Sequence, residues 1–426
     1  MIEEYIYQWE NDLDSEDSNY ICDVAQGTIW KKLFSLSSTG SGLFLGLSLF
    51  INWFNPLKNK LSVSNTIHLP SRYNSFTQST NNVLIPLVNE LYKLNKGITI
   101  VTPRYPHGRK IIVKLVTLVG DIVAVHKAPG FKSHSATKFC SWCEIKASER
   151  HILELGHPHK GRNVLAAAWH WKDTQSEFSW EKVAMKMGVC WSELNRLPYW
   201  DPVVNVALGV MHNWFKGILQ HHFITCWGFD FKTSEEDGNL ETLESSQQSQ
   251  GEDIEMSTNE DWIFESNDEN SGYLSKDIKK RIRERICKVI VPKGVTRIPP
   301  LVGKLKASKW NSLFSVYLPM VFIEGMWGNA VKDHTGKLFD LLLNFGALVQ
   351  CTNIVGAKSV EKNHSTKFAE CYNTYQHTSL RIFPQCRHVP NHHYAVHLLE
   401  QLQYWGPPMG ISEFSGEHLS GDIQNL

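Results

Sequence analysis

Leu43 to Phe54 is a near-continuous apolar run, GLFLGLSLFINWF with its leading glycine, and it reads as a central strand covered on both faces. At 12 residues, with Ser48 and Asn52 inside it, it falls short of the ~20 apolar residues a membrane span needs. Leu84, Leu87, Val88, Leu91 and Leu94 recur at helical spacing across 81–96, and Gly97 is placed to stop that helix. GITIVT and KIIVKLVTLVG predict two more strands. They are joined by PRYPHGR, with Pro103, Pro106 and Gly108 as turn residues, and the second runs straight into Asp121.

Around this strand–helix–strand stretch the pattern is mostly helical. Residues 1–35 form a polar, acidic lead-in with one short helix at Thr28–Phe34. From about 148 to 228 the spacing is helical and rich in tryptophan: Trp169, Trp171, Trp180, Trp191, Trp200, Trp214 and Trp227. Residues 233–275 hold too few apolar groups to offset ordering entropy and predict a disordered loop. KDIKKRIRERICK follows it as a basic helix. GKLFDLLLNFGALV and NHHYAVHLLEQLQYWG predict later helices, and no internal repeat is visible.

Apolar residues are 42% and charged residues 20% of the 426, a globular composition. Nine cysteines are too sparse for a disulfide scaffold, which favours a reducing, intracellular setting. The N-terminus is acidic and lacks the basic region of a signal peptide. The formal net charge of zero hides an uneven distribution. Residues 233–275 carry 13 acidic residues and no Lys or Arg, leaving 43 basic against 30 acidic residues elsewhere. A basic body with an acidic tether fits a polyanion-binding protein and equally an ordinary basic enzyme, so charge alone does not decide.

The order strand–Asn52, helix, strand–Asp121 and late helical glutamate resembles an RNase H-like nuclease core. Five strings sharpen this: GLSLFINWFNPLKNKLS, LVTLVGDIVAVHKAPGFKSHSATKFCSWC, ELNRLPYWDPVVNVALGVMHNWFKGILQHHF, GKLKASKWNSLFSVYLP and PNHHYAVHLLEQLQYWGPPMGISEFSGEHLSG, in this order. Together they resemble the CACTA (En/Spm)-type transposases, particularly the fungal members, over residues 36–426 apart from the acidic loop. The resemblance implies an α/β fold, an RNase H-like core interrupted by a large, mostly helical insertion. Its core would occupy 36–139 and 391–426, and the insertion 140–390.

The resemblance also implies two-metal phosphodiester cleavage and strand transfer with Mg²⁺ or Mn²⁺ held by three carboxylates. The family's first aspartate falls on Asn52, its second on Asp121 in DIVA, and its glutamate on Glu417, with Glu413 as the alternative. Asn52 is neutral, so the centre is expected to be impaired. A domesticated DNA- or partner-binding protein without catalysis is the alternative reading, and a zinc-stabilised helical interaction protein with no DNA role is a third.

Cys140-x-x-Cys143 is half of a tetrahedral zinc site. His393 and His397, four apart on one helix face, complete it, with His151, His157 and His159 as nearer alternatives. Arg104, Arg109, Lys110, Lys127, Lys132 and Lys138 are expected beside Asp121, where they would neutralise DNA phosphates. His212 is either beside the scissile phosphate or a polar neighbour of a core face. The expected partner is double-stranded DNA in the nucleus, with a homo-oligomer left open and no membrane.

Overall fold

The computed structural model describes residues 19–34, 42–51, 75–132, 136–149, 154–174, 177–229, 274–298, 305–323 and 336–417. Its fold is mixed α/β, mostly helix with small sheets. Thr28–Phe34 is a short helix, α1, as its sequence predicts. The apolar run forms strand β1, Leu43–Ile51. Asn52 lies outside the described residues. Helix α2, Ser75–Lys96, turns Leu84, Val88 and Leu91 inward and ends at Gly97, whose φ of 89° suits a residue without Cβ. Strands β2, Ile98–Ile100, and β3, Arg109–Gly120, follow.

β3 is the centre of the sheet. β1 pairs with it in parallel from Leu43↔Ile111 to Ile51↔Gly120, with one register shift at Leu47/Ser48. β2 pairs antiparallel along the other edge, Ile98↔Ile111 to Ile100↔Arg109. On that same edge but at the far end, residues 205–207 add a short parallel bridge. There Leu118 N–H donates to the Asn205 carbonyl (2.8 Å) and Ala207 N–H to the Leu118 carbonyl (3.0 Å). Residues 115–120 are all buried, as an apolar central strand requires. β1 is not covered on both faces as its pattern predicts: Leu47 is 43% exposed. Ile29, Phe34, Val116, Val119, Ala207, Trp405 and Ile411 form the core beneath.

The chain divides into two compact units. The first comprises Met1–Trp214, Ile354–Ala369 and His388–Leu426, and the second Phe215–Asn353 and Glu370–Arg387. The second unit, a helical body, begins at Phe215. The predicted helical stretch 148–228 also needs correction. It contains α4, Gly161–Asp173, and α5, Glu177–Met187, but residues 188–210 are largely irregular. Their apolar groups fill loops and the strand bridge rather than a helix face. Met211–Leu219 then winds as a π-helix, a rare form frequent at functional sites.

The second unit is helical and built on aromatic rings. Phe223 stacks on Phe229 at 4.1 Å, Trp227 meets Phe322 edge-on at 5.5 Å, and Phe322 meets Phe345 at 4.7 Å. Helix α6, Lys276–Lys288, buries Ile278, Ile282 and Ile286 there, and the acidic segment before it lies outside the described residues up to Gly272–Tyr273. Helix α7, Lys337–Val355, is long and apolar enough to cross a membrane, but 56% of that stretch is buried within the protein. Its Asn344 amide donates to the Tyr375 carbonyl and to the Thr378 and Ser379 hydroxyls of helix α8, His364–Ile382, as a core helix would.

Candidate functional site

Phe139–Cys143 forms a tight turn at the head of a hairpin. Lys138 pairs with Lys146 and Cys143 with Pro158, and the Trp142 N–H donates to Cys140 Sγ (3.4 Å). The spacing of three turns both sulfurs to one side. The histidines come from the end of the chain. Helix α9, Pro390–Val396, stops at His397, and helix α10, Leu398–Trp405, begins after it. A single continuous helix was the expectation. The break falls at His397, whose ψ of −10° departs from the helix.

Cys140 Sγ lies 3.3 Å from His397 Nε2, and Cys143 Sγ lies 3.2 Å from His393 Nε2. All four ligand atoms lie within 4.8 Å of one another, and all four residues are buried. Tetrahedral zinc with bonds of 2.0–2.3 Å places neighbouring ligand atoms roughly 3.4–3.8 Å apart, so a small outward movement admits an ion. The cluster can hold a metal and is consistent with structural zinc. His397 Nδ1 stands 3.6 Å from Glu400 Oε2, the position of a carboxylate that orients a metal-bound imidazole.

The ionisation of the sulfurs suits this role. The Cys140 side chain hydrogen-bonds Cys143 and pulls its thiol far down, with His393 and His397 adding to the effect. Burial pushes Cys140 up. Burial alone would lower His397, but hydrogen bonds with Cys143 and Glu400 outweigh it and raise the imidazole. Zinc takes cysteine as thiolate, so ligation would release any proton the sulfurs carry. Of the nearer histidines, His157 and His159 lie in the returning arm of the hairpin outside this cluster, and His151 lies outside the described residues.

The Cys₂His₂ cluster is tied to the end of the sheet. The Trp142 indole N–H donates to the Val206 carbonyl (3.1 Å), and Asn205 Nδ2 donates to the Val116 carbonyl (2.6 Å). From α10, Gln401 accepts the Leu208 N–H at 2.7 Å. The loop after the strand bridge is thereby fixed beside the C-terminal end of β3. There the Asp121 carboxylate caps helix α3, Ile122–Lys127, by accepting the Ala124 N–H at 2.7 Å.

A turn of helix at 413–417 reaches the same end. Glu417 N–H donates to the Glu413 carbonyl (2.8 Å), so both side chains lie on one face. Glu413 is fully buried and accepts the Met211 N–H at 3.0 Å. A Cβ at Gly209 would collide with its carboxylate and lie 2.8 Å from the Gly120 carbonyl oxygen, so the glycine makes room for the acid. Burial pushes the Glu413 carboxyl up to about 7, although its own, Met211 and His212 backbone N–H groups oppose the shift. Glu417 Oε1 meets His212 Nε2 at 2.9 Å, with both side chains about one-third exposed. Gly416 packs on the Phe50 ring near the end of β1.

Asp121, Glu413 and Glu417 therefore share a neighbourhood without closing into a metal-sized group. Among the described residues the Cys₂His₂ set is the one cluster of that kind, so a Mg²⁺ or Mn²⁺ centre is not supported. The acids are engaged by a helix cap, a backbone amide and an imidazole. His212 faces Glu417 rather than standing alone, a contact the sequence does not disclose.

The basic residues also divide. Lys127 ends α3, and Lys132 and Lys138 lie on the loop leading to the metal hairpin. Arg104, Arg109 and Lys110 do not lie beside Asp121. They occupy the β2–β3 hairpin, and the 12 residues of β3 separate that end from Asp121. At ~3.3 Å per residue this is roughly 40 Å. No protein-family model matches this chain, and no curated protein is significantly similar to it.

Proposed function

We propose that this chain is a transposase-like, nuclear DNA-binding protein with an RNase H-like core, whose cleavage centre is impaired at Asn52. One observation carries the reading. Two parallel strands end side by side at Ile51 and Gly120, directly before Asn52 and Asp121, with the Glu413–Glu417 turn near the same end. That is the order of side chains a strand-end nuclease centre uses. The five sequence strings support it, and so does the Cys₂His₂ cluster, which in this reading is a structural zinc site.

The impairment follows from charge. Two divalent cations bring +4 into such a centre, and three carboxylates offset three of those charges. With Asn52 only Asp121 and one glutamate remain, and a neutral carboxamide replaces a hard anionic ligand. Binding without cleavage is favoured further by Asp121, whose carboxylate already caps α3.

Duplex binding and nicking in Mg²⁺ or Mn²⁺ test this on element-end DNA of the family type. The unmodified protein should bind without nicking. Asn52→Asp should be required for any cleavage, which Asp121→Ala should then abolish. Asp121-dependent cleavage by the unmodified chain would overturn the impairment, and absence of DNA binding at low salt would overturn the whole reading.

A further inference from the structure

The cations at the start of β3 form a surface of their own. We propose that this surface, made by the last turn of α2 and the β2–β3 hairpin, is a second docking site for duplex DNA, at the other end of β3 from Asp121. The inference rests on the DNA-binding reading above.

Residues 90–110 contain Lys93, Lys96, Arg104, Arg109 and Lys110 against a single acid, Glu90. Glu90 lies 2.8 Å from Lys93, and both side chains are more than 60% exposed, so the pair is solvated and weak. Lys96, Arg104 and Lys110 are likewise exposed. The fold gathers them. Gly97 ends α2, β2 then pairs back on β3 with Thr99↔Lys110 and Ile100↔Arg109, and the Lys110 side chain lies across Gly97 beside Lys96. Tyr92 lies under Lys96 at 4.9 Å and Tyr105 under Arg109 at 5.0 Å, which holds two of the cations in place.

A solvated helix end accounts for only part of this. Lys93 and Lys96 complement the α2 dipole at its C-terminus. Arg104, Arg109 and Lys110 belong to the hairpin and have no helix dipole to answer. The charge points to a polyanion, and the length of β3 to an extended one. β3 separates this surface from Asp121 by roughly 40 Å, more than the about 34–36 Å of one turn of B-DNA. A duplex of several turns would reach both ends of the strand, whereas a 10-base-pair duplex would not.

The test is fluorescence anisotropy on 10- and 30-base-pair duplexes across a salt series. The variant combines Lys93→Gln, Lys96→Gln, Arg104→Gln and Lys110→Gln, leaving Arg109 on Tyr105. On the 30-mer its log–log salt slope should be shallower by about 3–4, at ~0.9 per phosphate contact. Its affinity at low salt should fall at least tenfold, and most of the gain from 10 to 30 base pairs should vanish. The charge-preserving set Lys93→Arg, Lys96→Arg and Lys110→Arg should bind like the parent, which separates lost charge from lost folding. If the parent binds duplex but the Gln variant keeps its slope and affinity, the second site is wrong while DNA binding stands. Loss of binding by both sets, with anionic vesicles bound equally by parent and Gln variant, also overturns it. No duplex binding by the parent removes this inference together with the reading beneath it.

Discussion

Glu413 is fully buried, its Oε2 accepts the Met211 N–H, and its Oε1 lacks a hydrogen-bond partner. Because burial raises its folded pKa to about 7 from 4.5, the folded state binds a proton that the unfolded chain has released. Stability from this group is complete below pH ~4.5 and is lost as pH rises towards 7, by up to about 3 kcal/mol. Glu413→Gln keeps an acceptor for Met211 and removes the titration. It should match the parent near pH 4.5 and exceed it at pH 7.5, as read from urea midpoints across that range. Equal pH profiles would show that Glu413 is solvated on the timescale of unfolding. Glu413 and Glu417 were both visible as candidates in SEFSGEHL. Their spacing of four places them on one face but cannot say which enters the protein. The bare Cα of Gly209, distant in sequence, decides that.

At the scale of elements, the Cys₂His₂ cluster joins the hairpin around Trp142 to the α9–α10 junction. Trp142 and Gln401 in turn fix residues 206–208 against β3. Purified protein should carry about one zinc per chain, by the four-ligand rule for structural sites. Cys140→Ala with Cys143→Ala should lose it, and unfolding should become easier by several kcal/mol because structural zinc binding is coupled to folding. Hydrogen exchange should quicken in 390–405 and 205–211. Full zinc retention in the double variant would rule the site out. CxxC and HxxxH were each legible from spacing alone. Their pairing was the favoured one, over His157 and His159 that are far nearer in sequence, and the four side chains meet in the fold. The hairpin sends those two back along its returning arm and leaves the open side to α9.

The two units should answer pH in opposite directions. In the second unit His222 is wholly buried, with Nδ1 3.3 Å from the Tyr375 hydroxyl and Nε2 unpartnered. Burial, with a small contribution from His221, lowers its pKa to about 3. The unfolded chain therefore binds the proton first. Stability from this group is present above pH ~6.5 and is lost as pH falls towards 3, by several kcal/mol. His222→Phe should flatten the acid side of the unfolding curve followed by tryptophan emission. An unchanged acid transition would place the sensitivity elsewhere. The division into units was only partly legible. Residues 140–214 belong with the sheet to the first unit. Trp142, Asn205 and Gln401 bind that stretch to the sheet through hydrogen bonds that no periodicity announces.

What the sequence determined by itself is what backbone geometry imposes locally. The apolar runs gave β1 and β3, the leucine spacing and Gly97 gave α2, and the residue intervals gave both halves of the metal cluster. Tertiary structure decided everything that depends on which distant segments meet. It chose His393 and His397 for the sulfurs, and buried Glu413 while leaving Glu417 with His212. It also carried Arg104, Arg109 and Lys110 to the far end of β3 although Arg109 stands only twelve positions before Asp121. The reason is physical: a period of two or 3.6 residues fixes which face a side chain shares, whereas an extended strand turns short sequence distance into a long one and a closed loop does the reverse.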